Sequence, residues 1–335
     1  MNTKDEIIDV IEGRFRGPLP PPVLLTQTGT TDLMDLCGAE WPDAHYDVDK
    51  MVRLALQPSE RFGFATVRVP FDITQEAEAL GAEVIVGTRE SQPMVVASPW
   101  RDKGTVPPVP DDLISPEEMI ESERLRVVIE AAERIHEVRG DLFGVSNCLC
   151  ATGVAAHLLG METLVIGTMF QSETVEAWID KLVPYSSLYA KTLSEVSDCV
   201  SVITDIQADM LPPEINSLIA KKEKKVISSI TNSFSMIHNC GNTLACVEDI
   251  VGMKPDILSL ETSSDPEAYL KAICKRCVTL GCINPVQELM GGTPESVRAK
   301  ALESAEMGFG LIGPECGVPP QTRNANIEAL AHYRD

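Results

Sequence analysis

Basic residues are scarce in this chain. Its 335 residues include 28 lysines and arginines against 50 aspartates and glutamates, a formal net charge of −22. A nucleic-acid footprint needs a basic face, so this balance argues against one. It argues equally against an anionic membrane surface, while leaving room for a local basic pocket. Long uninterrupted apolar runs are also missing: none has the roughly 20 residues that span a bilayer. The opening Met1-Asn2-Thr3-Lys4-Asp5-Glu6 does not read as a secretory signal. The expected compartment is therefore the cytoplasm, where the ten cysteines are thiols or metal ligands rather than a disulfide framework. No Gly-x-Gly-x-x-Gly follows the first expected strand, no Walker sequence occurs, and close-set zinc-finger spacing is absent.

What is present is an alternation of apolar runs with helical segments. The apolar fraction of 44% supplies ample core for one large α/β unit. Strands are expected at Val23-Leu24-Leu25, Ala65 to Val69, Asp141 to Asn147, Cys199 to Ile203, within Val226 to Ile237, Asp256 to Leu260, Cys277 to Cys282 and Phe309 to Ile312. Helices are expected over Asp5 to Glu12, Asp32 to Cys37, most of Val48 to Phe62, Pro116 to Val138, Thr174 to Val183, Leu188 to Glu195, Pro213 to Ile219, Thr293 to Met307 and Asn324 to His332. Thr293 caps the helix whose first position is Pro294. Val84 to Val86 and Met94 to Ala97 read as an inserted hairpin. Eight strands separated by helical material predict a (β/α)8 TIM barrel, with residues 1–335 one domain and 1–22 an N-terminal helical extension. A monomer is the default expectation.

In such a barrel the chemistry sits at the carboxyl ends of the strands. One stretch there stands out: Ser235-Met236-Ile237-His238-Asn239-Cys240-Gly241-Asn242. On an extended strand end, His238 and Cys240 point the same way because the side-chain period is two. An imidazole and a thiolate together suit zinc. Cys316, in Gly313-Pro314-Glu315-Cys316-Gly317, is the strongest candidate for a third ligand, and Glu261 ends the next strand after His238. A buried core cysteine beside a loop histidine accounts for the same residues without a metal. Thr26-Gln27-Thr28-Gly29 at the first strand end offers hydroxyls and an amide to a ligand, or serves as a turn and helix cap. Asp72 ends the second strand, and Asp205, Gln207 and Asp209 follow the fourth. Cys148-Leu149-Cys150 is a ligand wall or a site of close helix–strand packing. The run Lys221 to Lys225 reads as a solvated face.

Taken together these residues resemble the uroporphyrinogen decarboxylase superfamily, and within it the zinc-dependent methylcobamide:coenzyme M methyltransferases. The likeness runs from Thr26-Gln27-Thr28-Gly29 and Trp41-Pro42 through Pro70-Phe71 and Glu76 to Gly81. Its sharpest motifs are His238-Asn239-Cys240-Gly241-Asn242 and Gly313-Pro314-Glu315-Cys316-Gly317. The resemblance implies that His238, Cys240 and Cys316 hold zinc and that Glu261 closes the metal site when substrate is absent. It implies a corrinoid supplied by a carrier protein, and a small thiol such as coenzyme M, activated at zinc, as methyl acceptor. Gln27 and Thr28 are candidate donors to a ligand, and Asp72 and Asp205 could orient the corrinoid or serve as salt-linked structural groups. Relatives also demethylate methoxylated aromatics, so transfer from a methylated small molecule to Co(I) corrinoid is the alternative, with a non-catalytic corrinoid-binding barrel as a third. The arginines that begin the porphyrinogen decarboxylases are absent from Leu25 to Thr31. The chain departs from the methyltransferase pattern at Ser146 to Cys150, where glycine and proline are usual, and at Glu315, where glycine is usual.

Overall fold

The computed structural model describes residues 3–101, 103–205 and 209–335, so Gln207 lies outside the described residues. Seven strands form one parallel sheet: β1 (Thr66–Val69), β4 (Phe143–Leu149), β5 (Cys199–Thr204), β6 (Phe234–Asn239), β7 (Ile257–Leu260), β8 (Val278–Ile283) and β9 (Leu311–Pro314), in that order. Between the first two, β2 (Glu83–Ile85) and β3 (Met94–Ala97) make the expected antiparallel hairpin. The parallel strands are buried on both faces, as crossover helices require.

The first expected strand does not join this ladder as a full member. Residues 22–28 occupy the place between β9 and β1, but pair only through isolated bridges, Pro22 with Ile312 and Thr28 with Val318. Val23 N–H donates to the Ile312 carbonyl at 2.8 Å, and Leu24 N–H reaches Thr66 Oγ1 at 3.1 Å. The physical reason is local: Pro20, Pro21 and Pro22 have no N–H to give a ladder. The result is a distorted TIM barrel, open in its hydrogen bonding along one seam.

The barrel interior is apolar at its base. Val23, Leu25, Phe143, Val145, Cys199, Met236, Ile257, Leu280 and Leu311 pack there with Ile7 of the helix Lys4–Ile11. That helix is capped by Thr3 and tied by Lys4 to Asp198 at 2.7 Å. Above this floor the inward positions become polar, which sets the level of the site.

Several helices differ from expectation. Val226–Ser229 belongs to the helix Pro213–Ser229, so the fifth barrel strand is confined to β6. Ile219, Ala220, Glu223, Val226 and Ile227 recur at helical spacing and are buried together, which decides the helix. The two helices expected over 174–195 are one, Ser172–Ser194, continuous through Pro184 because Trp178, Leu182, Tyr185 and Tyr189 bury a long face. The long helix expected from Pro116 is divided into Pro116–Ile120, opened by a Ser115 capping box, and Glu123–Val138. The segment Val48–Phe62 is likewise two helices, Val48–Ala55 and Gln57–Phe62, the second with Pro58 in its first turn. Among the described residues no single helix is long and apolar enough to cross a membrane.

Candidate metal centre

β6 ends at Asn239, and the period of two carries His238 and Cys240 to the same inner side. Gly241 follows in the left-handed region at φ 80°, which turns the chain away immediately after the thiol. Three strands further round, β9 ends at Pro314 and delivers Cys316. Cys240 Sγ lies 3.2 Å from His238 Nε2 and 3.2 Å from Cys316 Sγ. The three candidate ligand atoms all fall within 4.8 Å of one another, the one such group of histidine, cysteine and carboxylate atoms among the described residues.

The histidine is oriented from behind. His238 pairs in register with Ser259 of β7, and its Nδ1 lies 2.9 Å from Ser259 Oγ. In the tautomer with Nδ1–H donating a hydrogen bond to that serine oxygen, Nε2 keeps its lone pair toward the thiols. The thiols are electrically unequal. The hydrogen bond from Cys240 outweighs burial and, helped by His238, holds Cys316 below an ordinary thiol. Cys240 is pushed up by Cys316 and by burial. The two sulfurs thus share one proton between them more readily than they hold two. Two sulfurs and an imidazole at these separations suit tetrahedral zinc with one position left open.

Glu261 follows β7 and stands outside the group of three ligand atoms, yet near enough for its charge to raise Cys240. The loop that carries it is held by Glu315. This buried carboxylate accepts from Thr262 N–H and Ser263 N–H, both at 2.9 Å, from Ser263 Oγ at 2.5 Å and from Asn284 Nδ2 at 3.1 Å. Burial raises its pKa against the lowering effect of the Ser263 bonds.

With its amide turned to satisfy both ends, Gln27 donates to the Val318 carbonyl and accepts from Gly29 N–H, each at 3.1 Å. Thr28 Oγ1 donates to the Thr26 carbonyl at 3.2 Å. Both side chains are thus engaged with backbone at the seam. Asp72 is buried, with Oδ2 2.9 Å from His45 Nδ1 and 2.8 Å from Arg124 Nη2, and Oδ1 accepting from Thr74. Burial alone would raise Asp72; His45 and Arg124 outweigh it and hold the carboxyl well below the ordinary range. These are the contacts of the salt-linked alternative. Asp205 lies against Gly153, where an added Cβ would come within 3.0 Å of its Oδ2, and burial raises it to about 6. Cys148 and Cys150 are buried, the latter accepting from Gly153 N–H at 3.2 Å as the cap of the helix Ala151–Leu159.

The His238, Cys240 and Cys316 side chains open on a cavity of about 450 Å³ that also bounds Thr26, Phe71 and Arg68. Arg68 and Ser259 are the residues that sequence reasoning missed. Each had a signal. Thr66-Val67-Arg68-Val69 alternates on β1, and the pairing of Thr66 with inward Phe143 and of Arg68 with inward Val145 puts Arg68 inside. Ser259 is the lone polar residue of β7 and shares the inward side with Ile257.

A family model for uroporphyrinogen decarboxylase (URO-D) matches residues 2–335. The methylcobamide:CoM methyltransferase MtaA of Methanosarcina barkeri (strain Fusaro / DSM 804) is 28% identical over 336 residues, 99% of this chain and 97% of that protein. The methylcobamide:CoM methyltransferase MtbA of Methanosarcina mazei is 28% identical over 319 residues, 92% of this chain and 91% of that protein. A solved structure described as a methyltransferase from Methanosarcina mazei superposes with a TM-score of 0.90 at 28% identity, covering 99% of this chain and 98% of that one.

Proposed function

Because the chain belongs to the uroporphyrinogen decarboxylase (URO-D) family, we propose that it is a corrinoid-dependent methyltransferase, moving a methyl group from a methylated corrinoid protein to a small thiol, coenzyme M first. The relatives named for methylcobamide and CoM match it over nearly their whole length, which supports both donor and acceptor. The observation that carries the reading is the convergence of His238, Cys240 and Cys316 at the cavity.

His238, Cys240 and Cys316 would hold zinc. When bound there, zinc offers an open position and makes a thiol, ordinarily near pKa 8.5, available as its thiolate at neutral pH. The transfer would release the thiol proton to solvent, form the sulfur–methyl bond, and leave the electron pair of the broken cobalt–carbon bond on the carrier's cobalt. The chain's own part is placement. Ser259 fixes the imidazole, the apolar floor excludes water from below, and the cavity mouth receives the corrinoid carrier. Glu261 is assigned as the group that closes the site without substrate and yields to it. In this reading residues 1–335 act as one barrel unit with 1–22 as its extension, a monomer in the cytoplasm.

The test mixes zinc-loaded protein with methylcobalamin and a panel of thiols, follows loss of the methyl–cobalt spectrum, and identifies the methylated product. Methyl transfer to a thiol is expected. Product only from Co(I) corrinoid with methoxylated aromatics would reverse donor and acceptor; no product in either direction would reject the activity.

A further inference from the structure

Arg68 is an unusual residue for its position. It projects inward from β1, lines the cavity shared by His238, Cys240 and Cys316, and is the one lysine or arginine among the described residues lining it. Its Nη1 donates to the Pro70 carbonyl at 2.9 Å, while its Nε is enclosed and has no partner. No described carboxylate is in ion-pair contact with it, although the chain carries 50 acidic residues. The acid whose field reaches it, Asp72, is already committed to His45 and Arg124. Burial pulls the Arg68 pKa down to about 10, against the opposing fields of Cys316 and Asp72, so it remains cationic at neutral pH.

An enclosed cation with no carboxylate in contact is costly, and an anionic ligand beside it offsets that cost. Arginine's rigid fork suits a planar carboxylate or a tetrahedral sulfonate. A second donor stands nearby: Thr26 Oγ1 is buried, unpartnered and on the wall of the same cavity. The field of Cys316 also reaches Arg68, which places the cation near the candidate ligands.

We propose that Arg68, assisted by Thr26, is the group of this chain that anchors the acid end of a short acid-bearing thiol acceptor. This rests on the thiol-transfer reading for its substrate, but the anchor can be tested without any transfer. Ethanesulfonate and propionate carry the acid and lack the thiol. Calorimetric titration of each into the wild-type protein and into Arg68→Gln reads the anchor directly, with thermal unfolding to verify that the variant is folded and Arg68→Lys as the variant that keeps the charge without the fork. Wild type is expected to bind at least one of the two acids, Arg68→Gln roughly 10- to 100-fold more weakly, and Arg68→Lys between them. Preference between the two probes identifies the acid.

In turnover with methylcobalamin, the kcat/KM ratio for 2-mercaptoethanesulfonate over 2-mercaptoethanol is expected to fall by the same factor in Arg68→Gln. Equal binding of the probes by wild type and a folded Arg68→Gln, or binding of neither acid by wild type, overturns the proposal whatever the methyl-transfer assay shows. A methyl-transfer failure with the binding difference intact overturns the activity and leaves the anchor standing.

Discussion

Replacing Glu315 by alanine tests whether a buried carboxylate holds the loop of Glu261. The side chain is 1% exposed and collects four hydrogen bonds, from Thr262 N–H, Ser263 N–H, Ser263 Oγ and Asn284 Nδ2. Alanine leaves the two backbone donors without an acceptor. A buried unsatisfied donor costs about 1–3 kcal/mol. Thr262 is buried and Ser263 is half-buried, so water can partly satisfy the second. Against this stands the burial cost of the carboxylate, the leading cause of its raised pKa, which disappears with it. The net loss expected is about 2–4 kcal/mol. Glutamine retains one carbonyl oxygen for the two amides and lets Ser263 rotate to accept, so its loss is expected at about 1–2 kcal/mol.

Urea unfolding of wild type, Glu315→Gln and Glu315→Ala, at matched metal content, measures these differences through the midpoint at constant slope. Amide exchange at Thr262 and Ser263 provides the local readout, since a lost pin speeds exchange there before it speeds exchange in β7. An alanine variant within about 0.5 kcal/mol of wild type, with unchanged exchange at both amides, would refute the reasoning.

Metal content is expected at about one zinc per chain by elemental analysis; zinc at the same occupancy in the double variant Cys240→Ser, Cys316→Ser would reject the ligand assignment. X-ray absorption spectroscopy of zinc-loaded, substrate-free protein is expected to show an oxygen ligand at about 2.0–2.2 Å that Glu261→Gln alters, and an identical spectrum in that variant would sink the closing role. Gln27→Leu breaks the amide contacts to Val318 and Gly29, and a chelator competition assay is expected to show zinc affinity weakened roughly 10- to 100-fold; unchanged affinity would show that the seam does not set the third ligand. Glu76 and Glu223 are raised by burial to about 7. Their folded values lie above their unfolded ones, so the folded state holds the extra protons. Stability from these groups is full below about pH 4.5 and declines as pH rises toward 7. Glu223→Gln is expected to flatten that decline, and an unaltered profile of unfolding midpoint against pH would contradict it.

Much of the barrel was legible because its strands are short apolar runs with turn formers between them, and β4 through β9 follow that pattern. The first strand was not, because Val23-Leu24-Leu25 has the composition of a strand while Pro20 to Pro22 remove the donors a ladder needs. Val226 to Ile230 misled for the opposite reason. It has β-branched residues, but burial every three or four positions back to Ile219 makes it the end of a helix. At the site, the shared direction of His238 and Cys240 followed from strand period alone. Their meeting with Cys316 depends on the curvature that brings β9 toward β6, which no spacing encodes. Gln27 and Thr28 have the atoms of ligand donors, and only coordinates show those atoms turned to backbone. Arg68 escaped notice because an arginine in a strand reads as a solvent-facing residue until the register with Val145 places it inside.

The weak strand and the third ligand are parts of one arrangement. Where prolines prevent a ladder, the seam closes by other means: the Thr28–Val318 bridge, the Val318 N–H to Gln27 carbonyl bond at 2.8 Å, and the Gln27 amide on Val318 and Gly29. Val318 lies two residues beyond Cys316. The intervening Gly317 approaches so closely that an added Cβ would lie 3.1 Å from the end of the Gln27 amide, which would have to give by a few tenths of an ångström. Cys316 is therefore located by the contacts that close the barrel, whereas His238 and Cys240 are located by β6 and its register with β7. Assembly of the three-ligand group requires both halves of the barrel to be in place, so a metal bound there would tie the seam to the opposite wall. Zinc then stabilises the closed barrel by mass action, and the open ladder at residues 22–28 becomes tolerable in a fold whose other strands are fully paired.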